Sequence, residues 1–98
     1  MANIVLIHGA YQGGWIWQSV AKILRSKGHT VLAPTLAGCA ERSRQIRPGI
    51  TTETHGDEIA NLLFYEDIKD AVLVGTSSGG MVMAKAAELA RHRIKRLV

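Results

Sequence analysis

The run Ala71-Val72-Leu73-Val74 breaks directly into Gly75-Thr76-Ser77-Ser78-Gly79 and then into a helix-like stretch that reaches about Ala90. Few pentapeptides constrain a fold as tightly. A serine carried on a sharp turn between a strand and a helix must adopt strained backbone angles. The positions two before and two after it must then lack side chains that would strike the neighbouring strand and helix. Gly75 and Gly79 meet that demand and make Ser77 a candidate nucleophile on a nucleophile elbow. Taking Ser78 as the nucleophile would put Thr76 at the first glycine position, so the Ser77 register fits better.

The rest of the chain supplies the setting that such a turn requires. Ile4-Val5-Leu6-Ile7 is a short continuous apolar run, as expected of a strand buried on both faces of a parallel sheet. Trp15, Ile16, Val20, Ile23 and Leu24 recur at helical spacing up to about Lys27, and Gly28 stands where a helix stop is wanted. Thr30 to Ala33 reads as a second strand closed by Pro34. Residues 35–51 have no clear period and read as a long loop. Thr51 or Thr52 caps a helix to about Tyr65, with Ile59, Leu62 and Leu63 on one face. Ala71 to Val74 is the third strand, a helix runs from about Gly79 to Arg91, and Ile94 to Val98 starts a fourth strand. The alternation predicts an α/β fold, a parallel sheet flanked by helices with right-handed crossovers.

Composition bounds the function. The 98 residues are 47% hydrophobic, enough for one small globular domain. The longest aliphatic run is far below the roughly 20 residues of a membrane span, and no signal-type segment opens the chain, so a cytoplasmic location without membrane association is the expectation. Cys39 is the only cysteine and reads as an incidental loop thiol. The net charge of +4 is entirely C-terminal: residues 81–98 hold Lys85, Arg91, Arg93, Lys95 and Arg96 against Glu88 alone. Basic residues at a helix end complement its dipole and keep the face solvated. With no interleaved aromatics or binding motif, nucleic acid is not an expected partner.

Acyl transfer by serine needs two backbone N–H groups for the developing oxyanion, one after the nucleophile and one from a loop after an earlier strand. Ser78 and Ala10, the latter in the His8-Gly9-Ala10 turn, supply them if the first and third strands are neighbours. The base and its orienting acid are harder to find. His92 lies roughly 22 Å along the helix from Ser77 at 1.5 Å per residue. His29 belongs at the opposite end of the sheet, His55 opens a helix, and His8 is better placed to shape the oxyanion turn than to take a proton. The order for such an elbow is serine, acid, histidine, and nothing after Ser77 qualifies. No G-x-G-x-x-G or phosphate loop is present, and no Cys/His cluster has zinc spacing, so neither cofactor nor metal is expected.

Taken together, Ile4-Val5-Leu6-Ile7-His8-Gly9-Ala10 with Gly13-Gly14-Trp15, Pro34-Thr35-Leu36-Ala37-Gly38 with Glu41-Arg42, and the elbow ending in Gly79-Gly80-Met81 resemble the α/β-hydrolase superfamily. The branch that is most similar is the small esterases and hydroxynitrile lyases. The resemblance implies a serine hydrolase acting on a small carboxylic ester through an acyl-enzyme, with Ser77 as nucleophile and Ala10 and Ser78 as oxyanion donors. It also implies an enzyme of roughly 230 to 270 residues. This chain then corresponds to an N-terminal portion, residues 1–98 of a core domain interrupted within a strand, with acid, histidine and cap outside it. The isolated chain is expected to be inactive or nearly so.

Two positions depart from the relatives. Thr76 stands where many carry histidine. Gly9 stands where hydroxynitrile lyases typically carry a threonine that contacts the cyanohydrin hydroxyl, which favours ester or amide hydrolysis over a C–C lyase. The alternatives are that lyase chemistry, or a non-catalytic module that pairs its open sheet edge with a complementary C-terminal fragment or a second copy. Trp15 and Trp17 either border the entrance or pack the first helix, and packing is the expectation.

Overall fold

A computed structural model describes all 98 residues, Met1–Val98. Four parallel strands form one sheet: β1 (Asn3–Ile7), β2 (Thr30–Leu32), β3 (Ala71–Gly75) and β4 (Ile94–Leu97), in the spatial order β2-β1-β3-β4. Three helices connect them, α1 (Gln18–Ser26), α2 (Thr52–Tyr65) and α3 (Gly79–Ala90). The expected α/β alternation and all four strands are present. The central pair is in continuous register from Asn3↔Ala71 to Ile7↔Gly75, so the ends of β1 and β3 finish side by side.

The two faces of the sheet are covered unequally. On one, α2 and α3 seal Val5, Ile7, Ala71 and Leu73 beneath Ile59, Leu63, Val82, Ala86 and Ala90, with Leu36 and Ile68 closing the ends. The other carries a smaller cluster, Leu6, Ala21 and Val31, with Trp17, Leu24 and Val74 packed against it. The first helix differs from the sequence expectation. Its opening turn, Gly14–Trp17, is 3-10, and the α-helical part begins only at Gln18. Trp17, Ala21 and Leu24, spaced by four and three, face the sheet, whereas Val20 and Ile23, each one residue earlier and about 100° around the helix, stay exposed. Trp17 is therefore a packing residue, and Trp15 lies in a cleft beside α1 with Gln18, Ala21 and Arg25.

The segment between β2 and α2 contains a 3-10 stretch, Ala40–Gln45, inside what reads as plain loop from the sequence. Thr51 caps α2 as expected: its hydroxyl accepts from the Thr54 N–H, and the Thr54 hydroxyl accepts from the Thr51 N–H. The C-terminal basic run is not uniformly solvated. The Arg93 side chain is only 14% exposed. It donates to the Leu63 and Ile68 carbonyls and to Asp67, and its guanidinium lies 5.4 Å from the centre of the Phe64 ring. It thus fastens the start of β4 to the end of α2. No helix is long and apolar enough to cross a membrane.

At Gly56 α2 lies tight against α3: a Cβ there would lie 2.7 Å from both Cβ and Cγ of Lys85. Helix propensity alone favours Gly56→Ala by about 1 kcal/mol. Overpacking at this crossing outweighs it, and the substitution is expected to destabilise the fold by about 1–3 kcal/mol, read as a lower urea midpoint at unchanged m-value.

Candidate active site

The site is built where β1 and β3 end. Ser77 has φ +55°, in the left-handed region that a non-glycine residue enters only under local strain, and its side chain is exposed. The glycines on either side of it explain how the turn closes. A Cβ on Gly75 would sit 2.8 Å from the Gly79 carbonyl oxygen, and one on Gly79 would sit 2.8 Å from the carbonyl oxygens of both Ile7 and His8. The first clash is with the helix and the second with the neighbouring strand, the two collisions that the sequence pattern avoids. The Thr76 N–H donates to the Ile7 carbonyl at 3.2 Å and extends the ladder one residue past β3.

On the β1 side, Gly9 to Gln12 form a turn closed by the Gln12 N–H on the Gly9 carbonyl at 3.3 Å, and the Gln12 side-chain oxygen accepts from the Gly9 N–H at 2.7 Å. Sequence reading missed Gln12, because its role depends on the turn folding back on itself. The amides of Ala10 and Ser78 donate to no acceptor within the chain. Ala10 follows Gly9, where a Cβ would lie 3.1 Å from the Ser77 Cβ, and Ser78 follows Ser77 and precedes the first residue of α3, where the helix macrodipole is positive. Unpaired N–H groups and a helix N-terminus each favour negative charge nearby.

His8 is 1% exposed. Its Nε2 accepts from the Leu36 N–H at 3.0 Å and its Nδ1 donates to the Gly9 carbonyl at 2.8 Å. An amide can only donate and a carbonyl can only accept, so this pairing fixes the neutral tautomer protonated on Nδ1. Both nitrogens are occupied, and His8 shapes the turn. No other histidine meets Ser77. His29 accepts from the Ala2 N–H at the far end of the sheet, His55 bonds the Ala37 carbonyl, and His92 lies in the 3-10 turn after α3.

A polar network fastens the loop that faces the turn. Arg42 donates to Glu58 at 2.6 Å and to the Thr35 carbonyl at 2.7 Å, while the other Glu58 oxygen accepts from the Ala37 N–H. The Thr35 hydroxyl accepts from the Gly14 N–H and donates to Glu41. Of these residues only Glu58 did not stand out in sequence, and the partners come from segments up to 21 positions away. The hydrogen bond from Thr35 holds the Glu41 carboxyl below the ordinary carboxylate range, and the Glu41 backbone amide adds to the effect. Burial pushes the Cys39 thiol up, and the Glu58 charge pushes it further against the opposing pull of Arg42. The upward shift keeps the Cys39 thiol in its protonated form.

No cluster of His, Cys, Asp or Glu could hold a metal ion. The largest concavity, about 580 Å³, lies at the opposite end of the sheet, lined by Asn3, Lys69, Asp70, Val72, Lys95 and Arg96. Ser77 itself stands on open surface.

The alpha/beta hydrolase fold family matches residues 2–98. The carbendazim hydrolyzing esterase of Nocardioides is 41% identical over all 98 residues, which span 40% of that protein. The alpha-hydroxynitrile lyase of Arabidopsis thaliana is 36% identical over 98% of this chain and 38% of its own. Among solved structures, an extracellular alpha/beta-hydrolase from Paenibacillus superposes with a TM-score of 0.89 at 32% identity, covering 99% of this chain and 39% of the other. Polyneuridine aldehyde esterase superposes with a TM-score of 0.86 at 29% identity, over 99% and 38%. The chain thus spans about two-fifths of the length of these relatives.

Two outcomes are expected. Replacing His8 by Phe keeps a planar ring but leaves the buried Leu36 N–H without an acceptor, and should cost at least about 1–3 kcal/mol of stability in urea unfolding. Because the folded Glu41 pKa is depressed, its stabilisation is present above the unfolded value and lost as pH falls through the folded one. The stability gap between the unmodified protein and Glu41→Gln should therefore close as the urea midpoint is followed from pH 7 into the acid range.

Proposed function

We propose that this chain, which belongs to the alpha/beta hydrolase fold family, is the nucleophile-bearing portion of a serine hydrolase that cleaves small-molecule carboxylic esters. Ser77 is the nucleophile, and the backbone N–H groups of Ala10 and Ser78 form the oxyanion hole. One observation carries the reading: the exposed, left-handed Ser77 stands where β1 and β3 end side by side, and the amides of Ala10 and Ser78 in the turns after those strands make no hydrogen bond within the chain. In the reaction the Ser77 oxygen attacks the ester carbonyl while its proton passes to a histidine. The carbonyl oxygen takes up charge against the two amides, the alcohol leaves with that proton, and water releases the acid from the acyl-enzyme.

The base and its acid are assigned outside these residues, since the four histidines here are engaged elsewhere or distant. They come from a segment beyond Val98 or from a complementary fragment, and association through the open edge of β4, with such a fragment or a second copy, belongs to the same reading. Neither cofactor, nucleic acid nor membrane enters it, and the cytoplasm is the proposed location.

Similarity to an alpha-hydroxynitrile lyase raises lyase chemistry as a second reading. Gly9 weighs against it. A Cβ there would lie 3.1 Å from the Ser77 Cβ, the Thr76 carbonyl and the Gln12 side-chain oxygen, so the hydroxyl-bearing side chain expected of a lyase would crowd the serine.

The test is hydrolysis of p-nitrophenyl esters by a longer chain that continues past Val98, with and without Ser77→Ala, and by the 98 residues alone. Ser77→Ala should lower kcat by at least about 10⁴-fold while leaving the fold intact by circular dichroism, and the 98 residues alone should show almost no turnover. Undiminished turnover by the variant would refute the assignment, as would cyanide release from mandelonitrile faster than ester cleavage.

A further inference from the structure

Gly9 has the most backbone freedom of any residue in the turn Gly9–Gln12, and the space beside Ser77 leaves no alternative to it. A Cβ there would lie 3.1 Å from each of three atoms: the Ser77 Cβ, the Thr76 carbonyl oxygen and the Gln12 Oε1. Glycine loses more conformational freedom on folding than any other residue, so a turn that requires one must be held by something else. Here it is held on both sides. At the carbonyl, the His8 Nδ1–H donates to the Gly9 oxygen at 2.8 Å and the Gln12 N–H does so at 3.3 Å. At the amide, the Gln12 Oε1 accepts from the Gly9 N–H at 2.7 Å. Gly9 is buried, so its N–H depends on that side-chain oxygen rather than on water. All three contacts are made among residues 8–12.

The consequence falls on Ala10. The Gly9 carbonyl and the Ala10 N–H belong to one planar, trans peptide unit and point in opposite directions. Whatever fixes the first therefore aims the second, and the Ala10 N–H is the one left without a partner in the chain. Rotation about either backbone bond of Gly9 would swing that amide. Gln12 opposes both rotations, with its backbone N–H on the Gly9 carbonyl and its side-chain oxygen on the Gly9 N–H. We propose that Gln12 is a positioning residue for the reaction: by closing on Gly9 from both sides, it fixes the direction in which the Ala10 N–H meets the developing oxyanion. A glutamine suits the task because its amide oxygen is a neutral acceptor. It satisfies the Gly9 N–H without placing a negative charge near an oxygen that must itself become negative. The proposal rests on the esterase reading for the role of Ala10, and on the Gly9 contacts for the role of Gln12.

The test uses the longer chain that continues past Val98, with two variants. Gln12→Met keeps an unbranched side chain without a strong acceptor, and Gln12→Asn keeps the amide one methylene short of Gly9. On p-nitrophenyl acetate, Gln12→Met should lower kcat about 10- to 100-fold with KM changed by less than about twofold, because a misaimed donor matters only once charge develops. Gln12→Asn should lose about 3- to 10-fold in the same way, and it decides the matter if Gln12→Met does not fold. A trifluoromethyl ketone labelled at its carbonyl carbon gives a readout free of turnover. Ser77 adds to that carbon, its proton passes to the histidine, and the former carbonyl oxygen takes the negative charge. Carbon NMR then follows the pH at which this oxygen ionises. Gln12→Met should raise that pH by about one unit, the equivalent of a tenfold loss of oxyanion stabilisation. A side chain that served the fold alone would lower Tm and leave the ionisation where it was. Ser77→Ala separates the two readings. Turnover that survives it, or none in the unmodified longer chain, removes the esterase reading and this proposal with it. Turnover that needs Ser77 but is unchanged in the folded Gln12 variants, with the ionisation pH unmoved, overturns the proposal alone.

Discussion

The close approach of α3 to the end of β1 is the constraint on which the rest depends. With no side chain at Gly79, the helix backbone comes close enough to β1 that a single Cβ would collide with two carbonyl oxygens. The parallel register from Asn3↔Ala71 to Ile7↔Gly75 brings both strands to an end at the same height, and the Thr76 N–H carries the ladder one step further. Ser77 is thereby lifted above the sheet in a left-handed conformation, and the turn that follows β1 is brought against it. Hydrophobic burial supplies the energy that tolerates the strain. Val5, Ile7, Ala71 and Leu73 lie under α2 and α3 with essentially no exposure.

A second layer of polar contacts gives the turn and its facing loop one arrangement. His8, held in one tautomer, bonds the Gly9 carbonyl beside it and the Leu36 amide 28 positions further along the chain. Arg42 and Glu58 clamp the same loop from the other side, and Thr35 links it to Gly14 and Glu41. The surface around Ser77 is held by backbone amides and carbonyls whose partners are buried or half-buried side chains. Such contacts are worth more than exposed ion pairs, because an unmade hydrogen bond there has no water to replace it.

Much of this was legible in the residues. Short aliphatic runs mark the strands, Thr51 or Thr52 marks the start of α2 through its hydroxyl, and Gly75 and Gly79 mark the sharp turn. These signals are local: each depends on a residue's own geometry or on its neighbours within a turn. The misreadings have the opposite character. Val20 and Ile23 share the period of α1 but stay exposed, because the sheet meets only the stripe of Trp17, Ala21 and Leu24. Arg93 read as a solvated helix-end charge, yet it reaches back to carbonyls 25 and 30 positions earlier.

By itself, the sequence determined the α/β alternation and the sharp turn around Ser77, because periodicity and glycine placement act over a few residues. Only the tertiary structure decided that His8 is locked between Gly9 and Leu36, that the Ala10 and Ser78 amides are left unpaired, and that the Gln12 side chain folds back onto Gly9. Those outcomes depend on which strand lies beside which and at what register. Parallel pairing across some 68 positions, Asn3 with Ala71, is fixed by burying both faces of the sheet, and no local pattern encodes it.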